Sequence, residues 1–238
     1  MQEAETKVWR IFLYKGAKEM KVLVACEESQ AVCKAFREKG HEAYSCDIIE
    51  CSGGHPEWHI QGDVLELLNS QKNAKNKGIL CMVATQDGKP HFLPKKWDLI
   101  IAHPPCTYLS NAGARFLYPK GVLNEDRPNL GLAAKEFFMQ LYNADCDKIC
   151  VENPIPSKVF ELPKYSQIVQ PYEHGHPFKK KTCLWLKNIP LLQPTNIVDV
   201  RESTKIAGNW FNKGGKDRQK NRAKTFSGIA KAMAEQWG

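Results

Sequence analysis

Short apolar, β-branched runs alternate along this chain with segments whose apolar residues recur at helical spacing. Lys21 to Cys26 is the first such run and ends at Glu27-Glu28-Ser29. Helical spacing follows through Val32, Ala35 and Phe36 and stops at Gly40, which predicts a helix with Ser29 as its cap. Ala43 to Asp47 predicts a second strand. A further extended piece leads into Gly62-Asp63-Val64, with a helix through Leu65, Leu67 and Leu68. Trp97 to Ala102 is the clearest buried strand and breaks at His103-Pro104-Pro105. Leu130 to Tyr142 has helical spacing, and Lys148 to Val151 is the next strand. Ile168-Val169 and Lys181 to Leu186 suggest two closing strands. Thr225 to Trp237 reads as a final helix with Ile229, Met233 and Trp237 on one stripe.

Strands alternating with helices imply an α/β fold, a mostly parallel Rossmann-like sheet covered by helices on both faces. Ligands of such sheets bind beyond the carboxyl ends of the strands. The acidic and sulfur-bearing residues Glu27, Asp47, Asp63, Cys106 and Glu152 are all expected at those ends. Residues 1–19 read as an extension, with a possible short strand over Trp9 to Tyr14, and Met20-Lys21-Val22 resembles a natural start. Residues 20–238 read as one domain. Within it, 69–96 is polar and Lys-rich around Ile79 to Val83, a loop or hairpin insertion. Residues 187–224 form a second loop-like insertion, too short for a full-size target-recognition domain.

The net charge of +8 favours a polyanionic partner but decides little alone. Its placement says more. Lys213, Lys216, Arg218, Lys220, Arg222 and Lys224 lie near Trp210 and Phe211, a combination suited to a nucleic-acid backbone and an unstacked base. The nine cysteines are odd in number and irregularly spaced, so a reducing, cytoplasmic setting is expected. No apolar stretch approaches the ~20 residues a membrane span needs.

Cys106 follows two prolines that stiffen the turn after the clearest strand, which presents a thiol suited to nucleophilic attack. Glu152-Asn153-Pro154 ends a strand expected beside it, and a glutamate there is costly to bury unless paired or used. Asp47 stands about twenty residues beyond the first strand, where an acidic side chain commonly binds a ribose hydroxyl. The first turn, Ala25-Cys26-Glu27-Glu28-Ser29-Gln30, has no glycine fingerprint, and its two glutamates would repel a pyrophosphate. That argues against NAD or ATP and leaves room for a cationic nucleoside such as S-adenosylmethionine. Cys46, Cys51, His55 and His59 have spacings compatible with zinc but lack a paired knuckle, so no metal is expected.

These motifs are similar to those of the DNA cytosine-5 methyltransferase family, in a short, phage-type form. Pro104-Pro105-Cys106 with Thr107 to Ser110 resembles that family's nucleophile loop, and Glu152-Asn153 its Glu-Asn motif. Gly62-Asp63-Val64 resembles its third-strand cofactor motif. Gly175-His176-Pro177 with Lys179-Lys180-Lys181-Thr182 resembles a segment that usually carries paired arginines. Thr225 to Ala230 resembles the closing cofactor motif. The resemblance runs from about Met20 to Gly238. It implies a methyl transfer from S-adenosylmethionine to carbon 5 of cytosine in DNA, through a covalent adduct on Cys106 with Glu152 acting on the ring nitrogen. The substrate is a duplex with an extruded base, or a single strand. It further implies cofactor contacts from Cys26, Glu27, Ser29, Asp47, Ile48, Asp63, Val64, Pro104 and Ser227, and substrate contacts from Pro105, Ser110, Asn153, Lys180 and Thr182.

Two other functions fit the same residues. The run Leu99 to Pro105 also resembles the strand and turn of enzymes that methylate exocyclic amines, N4 of cytosine or N6 of adenine, although these normally have Asp or Asn where this chain has His103 and an aromatic where it has Cys106. A non-catalytic nucleic-acid binder retaining the fold would account for the altered first loop.

Overall fold

The computed structural model describes residues 18–200 and 223–238. Its centre is a seven-stranded sheet. In chain order the strands are β1 (Lys21–Ala25), β2 (Glu42–Asp47), β3 (His59–Gln61), the separate hairpin β4 (Met82–Ala84) and β5 (Pro90–Phe92), β6 (Leu99–Ala102), β7 (Ile149–Pro154), β8 (Gln167–Val169) and β9 (Thr182–Lys187). The spatial order is β3-β2-β1-β6-β7-β9-β8. The first five are parallel neighbours, and β9 runs antiparallel to both β7 and β8. The fold is therefore α/β and Rossmann-like, with a mostly parallel sheet. It differs from a dinucleotide-binding sheet in the reversed strand set between β7 and β8.

Side chains alternate across the sheet with the period of two that a pleated strand imposes. Leu23, Ala25, Ile100, Ala102, Ile149 and Val151 face one way and pack with Val64 and Leu67 of α2 (Val64–Asn76) and Phe138 and Leu141 of α4 (Asp126–Tyr142). Val22, Val24, Leu99, Ile101, Cys150 and Leu184 face the other way. They meet Val32, Cys33 and Phe36 of α1 (Ala31–Glu38) and Ile229, Met233 and Trp237 of α5 (Ser227–Trp237). A short helix α3 (Asn111–Ala114) follows the loop after β6.

Three elements differ from the sequence expectation. α2 continues to Asn76, into the stretch 69–96 expected to be a loop or hairpin insertion, and the hairpin β4–β5 lies within the rest as that expectation allowed. α4 begins at Asp126, with Pro128 in its first turn where no amide partner is required. β7 runs through Glu152 and Asn153 to Pro154, so those residues lie in the strand instead of after it. The expected strand at Trp9 to Tyr14 and the basic run from Lys213 to Arg222 with Trp210 and Phe211 lie outside the described residues. Among the described residues no helix is long and apolar enough to cross a membrane.

Candidate active site

The sheet's topological switch lies between β1 and β6, where the chain departs to opposite sides. In open α/β sheets that is where a ligand crevice forms. The loop after β1 is built around Glu27, only 4% exposed. Its carboxylate accepts from the amides of Val32 at 2.7 Å and Cys33 at 3.1 Å. These are orphan donors of the first turn of α1, so Glu27 does the capping and Ser29 does not. The loop reaches this shape through left-handed residues Cys26 (φ 58°) and Gln30 (φ 56°). Gln30 is fully buried, its amide donating to the carbonyl of His55 at 2.8 Å and accepting from the His55 amide at 3.1 Å. The electropositive helix end that binds phosphate in dinucleotide folds is thus filled by the chain's own carboxylate.

Cys26, Asp47 and Asp63 come together at the ends of β1, β2 and β3. Burial first, then Asp47, Cys46 and Asp63, push the Cys26 thiol well above its ordinary range. This thiol stays protonated and reports a negative field. Burial likewise raises the Asp47 carboxyl. Asp63 caps α2 by accepting from the Leu65 amide at 2.7 Å, and Val64 begins that helix. Ile48, beside Asp47, is 72% exposed, an apolar surface suited to a nucleobase. Carboxylates with an exposed aliphatic and no phosphate seat fit a nucleoside carrying a sulfonium and an ammonium. The residues implied for S-adenosylmethionine therefore suit it chemically.

The second half of the site lies on β6 and β7. Their last paired residues are Ala102 and Val151, so His103 and Glu152 are the next neighbours beyond the pairing. His103 Nδ1 donates to Glu152 Oε2 at 2.9 Å, with side chains 9% and 13% exposed. Burial works against the imidazolium, but the Glu152 hydrogen bond and the charges of Glu152 and Glu27 outweigh it, so His103 titrates above its ordinary range. Burial similarly opposes the Glu152 carboxylate, yet the His103 hydrogen bond and charge, with Lys180, hold it below the usual value. For Glu27 burial wins and the carboxyl is raised, partly offset by His103 and the two helix amides.

Cys106 follows on a half-buried turn closed by the Ser110 amide donating to the Cys106 carbonyl at 3.0 Å. This turn is stitched to the end of β7 and to the chain beyond it. Asn153 Nδ2 donates to the Pro104 carbonyl at 2.9 Å, the Asn111 amide to the Ile155 carbonyl at 2.8 Å, and the Ser157 amide to the Leu109 carbonyl at 2.7 Å. Ser110 is buried and caps α3 by accepting from the Gly113 amide, while Pro105 is exposed. Thiol turn and carboxylate strand thus form one rigid unit.

Comparison with protein-family models and with curated proteins returns no match.

The remaining expected residues gather on the rim between β9 and α5. Lys180 lies near enough to Glu152 and His103 to act on both electrostatically, and its ammonium stands over the Phe226 ring at 5.8 Å. Thr182 is buried in β9 with its hydroxyl donating to the Lys180 carbonyl at 3.2 Å. His176 Nε2 accepts from the Gly228 amide at 3.0 Å, at the start of α5, and meets the Ser227 hydroxyl at 3.3 Å. Cys46, Cys51, His55 and His59 have separate partners. Cys46 Sγ donates to the Gly62 carbonyl and the Cys51 amide donates to Gln86. His55 pairs with Glu57, and His59 is fully buried between Ser45 and the Ile49 carbonyl.

Two features escaped the sequence reading. One is the role of His103, whose only local signal is a histidine directly before two prolines. The other is a basic and aromatic patch next to the Cys106 turn. Arg127 donates to the carbonyls of Thr107 and Gly113, both at 3.0 Å, and stacks over Tyr108 and Phe116. Arg115 also stands over Phe116, and Phe116 and Tyr118 are 47% and 61% exposed. Arginine and aromatic residues within a short interval after Pro-Pro-Cys were the available signal.

Proposed function

We propose that this protein is a DNA methyltransferase that modifies carbon 5 of cytosine. The observation that supports it most is the fastening of the Cys106 turn to the Glu152 strand through Asn153 and Pro104. A thiol and a carboxylate held on adjacent strand ends are the pair needed to add a nucleophile to a pyrimidine while withdrawing charge from its ring nitrogen. In this reading the Cys106 thiolate bonds to carbon 6, the carbon 5–carbon 6 π pair forms a carbon 4–carbon 5 double bond, and the carbon 4–nitrogen π pair moves onto the ring nitrogen that Glu152 faces. Carbon 5 becomes nucleophilic. After methylation, loss of the carbon 5 proton restores the double bond and expels the Cys106 thiolate. S-adenosylmethionine, when bound, supplies an electrophilic methyl group. Asp47, Asp63 and Ile48 would hold it, and Glu27 would contribute negative potential.

Methylation of an exocyclic amine is less well supported. An amine presented at this turn needs hydrogen-bond acceptors. Here the Pro104 carbonyl has one of its two lone pairs engaged by Asn153, and His103 Nδ1 is engaged as a donor to Glu152. The arginine and aromatic patch around Phe116 suits an unstacked base and its phosphates, which supports a nucleic-acid substrate over a free nucleoside.

The test is mass spectrometry of nucleosides from DNA incubated with the protein and isotopically labelled S-adenosylmethionine. Labelled 5-methylcytosine is expected, and 5-fluorocytosine DNA should trap the wild type but not Cys106→Ala as a denaturation-resistant adduct. Labelled N4-methylcytosine or N6-methyladenine would overturn the assignment of the target atom. DNA binding without any S-adenosylmethionine binding would overturn catalysis.

A further inference from the structure

Cytosine attack makes a demand that Glu152 alone does not meet. As charge flows out of the double bond, the ring nitrogen must gain a proton or a strong donor. The carboxyl group that faces it is held in its ionised form, which only accepts. His103 stands directly behind it, with Nδ1 2.9 Å from Oε2. We infer that His103 is the proton reservoir for Glu152: it delivers a proton through the carboxylate to the cytosine ring when Cys106 adds. The inference rests on the cytosine reading above.

The geometry supports a relay. His103 is fixed by Pro104 and Pro105 on one side and by its amide, which donates to the Ala25 carbonyl at 2.9 Å, on the other. Every neighbouring element sets its charge. Glu27 faces it from the β1–α1 loop, Glu152 from β7, and Lys180 from the loop before β9, the first two favouring the imidazolium and the third opposing it. Its second nitrogen, Nε2, is buried with no hydrogen-bond partner among the described residues. The ring is held at Nδ1, the nitrogen that in this relay gives up the proton and takes it back.

The step balances. The Cys106 thiolate forms a bond to carbon 6, the carbon 5–carbon 6 π pair becomes the carbon 4–carbon 5 double bond, and the carbon 4–nitrogen π pair ends on the ring nitrogen. A proton passes from His103 Nδ1 to one Glu152 oxygen and from the other Glu152 oxygen to that nitrogen. Glu152 ends as it began, and His103 becomes neutral. When the carbon 5 proton passes to solvent water and Cys106 leaves as its thiolate, the proton on the ring nitrogen returns by the same route. His103 does not touch the substrate and is a positioning and proton-holding residue.

The test is single-turnover formation of 5-methylcytosine against pH in wild type and His103→Asn. Asparagine keeps a donor toward Glu152 but has no proton to transfer. The wild-type rate should fall on the alkaline side, as the imidazolium deprotonates above its ordinary range. His103→Asn should be slower by roughly 10²–10⁴-fold and should lack that alkaline limb, with DNA and S-adenosylmethionine affinities unchanged. A variant with the wild-type rate, or one that retains the limb, overturns the relay while leaving the cytosine reading intact. A wild type that forms no 5-methylcytosine overturns both. Should the variant fail to fold, wild-type protein labelled at its histidine ring nitrogens decides. A ring that titrates together with the kinetic limb supports the relay, and a limb with no matching ring overturns it.

Discussion

Replacing Glu152 by Gln keeps the side chain's shape and an acceptor for His103 Nδ1 but removes the charge. Both partners are nearly buried, at 9% and 13% exposed, so solvent screens little of the loss. Removing one member of a buried ion pair typically costs about 3–5 kcal/mol. Gln still accepts a hydrogen bond, and Glu27 still offsets the imidazolium, so the lower end, about 3 kcal/mol, is expected near pH 6. The sign of the pH dependence follows from the two shifts. His103 is raised, so its contribution is complete below the ordinary histidine range and fades as pH rises through its folded value. Glu152 is lowered, so its contribution is complete above the ordinary carboxyl range and fades as pH falls through its folded value. The difference between wild type and Glu152→Gln should therefore be largest between those limits. It should shrink toward about 1 kcal/mol, a neutral hydrogen bond, by pH 9. Urea unfolding at pH 6 should show a midpoint lower by about 1.5 M if the slope is about 2 kcal/mol/M. An equal loss at pH 6 and pH 9, or a loss below about 1 kcal/mol at pH 6, would refute the buried charge pair.

Asn153→Ala removes the donor to the Pro104 carbonyl from a side chain only 1% exposed. Thermal unfolding should report a loss of about 1–3 kcal/mol, and trapping by 5-fluorocytosine DNA should fall much further, because the Cys106 turn loses the one side-chain fastening of the three hydrogen bonds described. Gly228→Ala would set a Cβ 1.8 Å from the His174 carbonyl oxygen, at the junction of the β8–β9 loop with α5. A destabilisation of about 1–3 kcal/mol is expected, whereas Gly62→Ala, with nothing within 4 Å of its Cβ, should change the melting temperature little.

The strands were legible because fully buried strands must be apolar on both faces, as Leu99 to Ala102 and Val22 to Ala25 are. The second half of α2 was not, since only Gln71 and Ala74 are buried there and its lysines and asparagines face solvent. Glu152 looked like the residue after a strand because a carboxylate rarely sits inside one. What makes it tolerable is His103, 49 residues away and beside it only through the β6–β7 register. The helix cap was misplaced for a similar reason. Local pattern favours Ser29, but two left-handed residues turn the loop so that Glu27 reaches the amides instead. Cys106 was found because it follows the apolar run Leu99–Ala102 and its proline turn, whereas Asp47 closes the mixed strand Glu42–Asp47 and Asp63 follows the short His59–Gln61, so their placement leaned on the alternation of strands and helices.

The reversal of β9 has an architectural consequence. Since Thr182 pairs with Pro154 and Val169 with Thr182, the segment from Gln170 to Lys181 both departs from and re-enters the sheet at the Cys106 end. An all-parallel arrangement would spend that connection on the far side. Here it forms a loop whose two ends are both anchored at the carboxyl end of β7, in the pairings of Thr182 with Pro154 and Val169. A change in the length or charge of that loop therefore leaves the β7–β9 and β8–β9 registers intact while altering the surface beside the Cys106 end of the sheet.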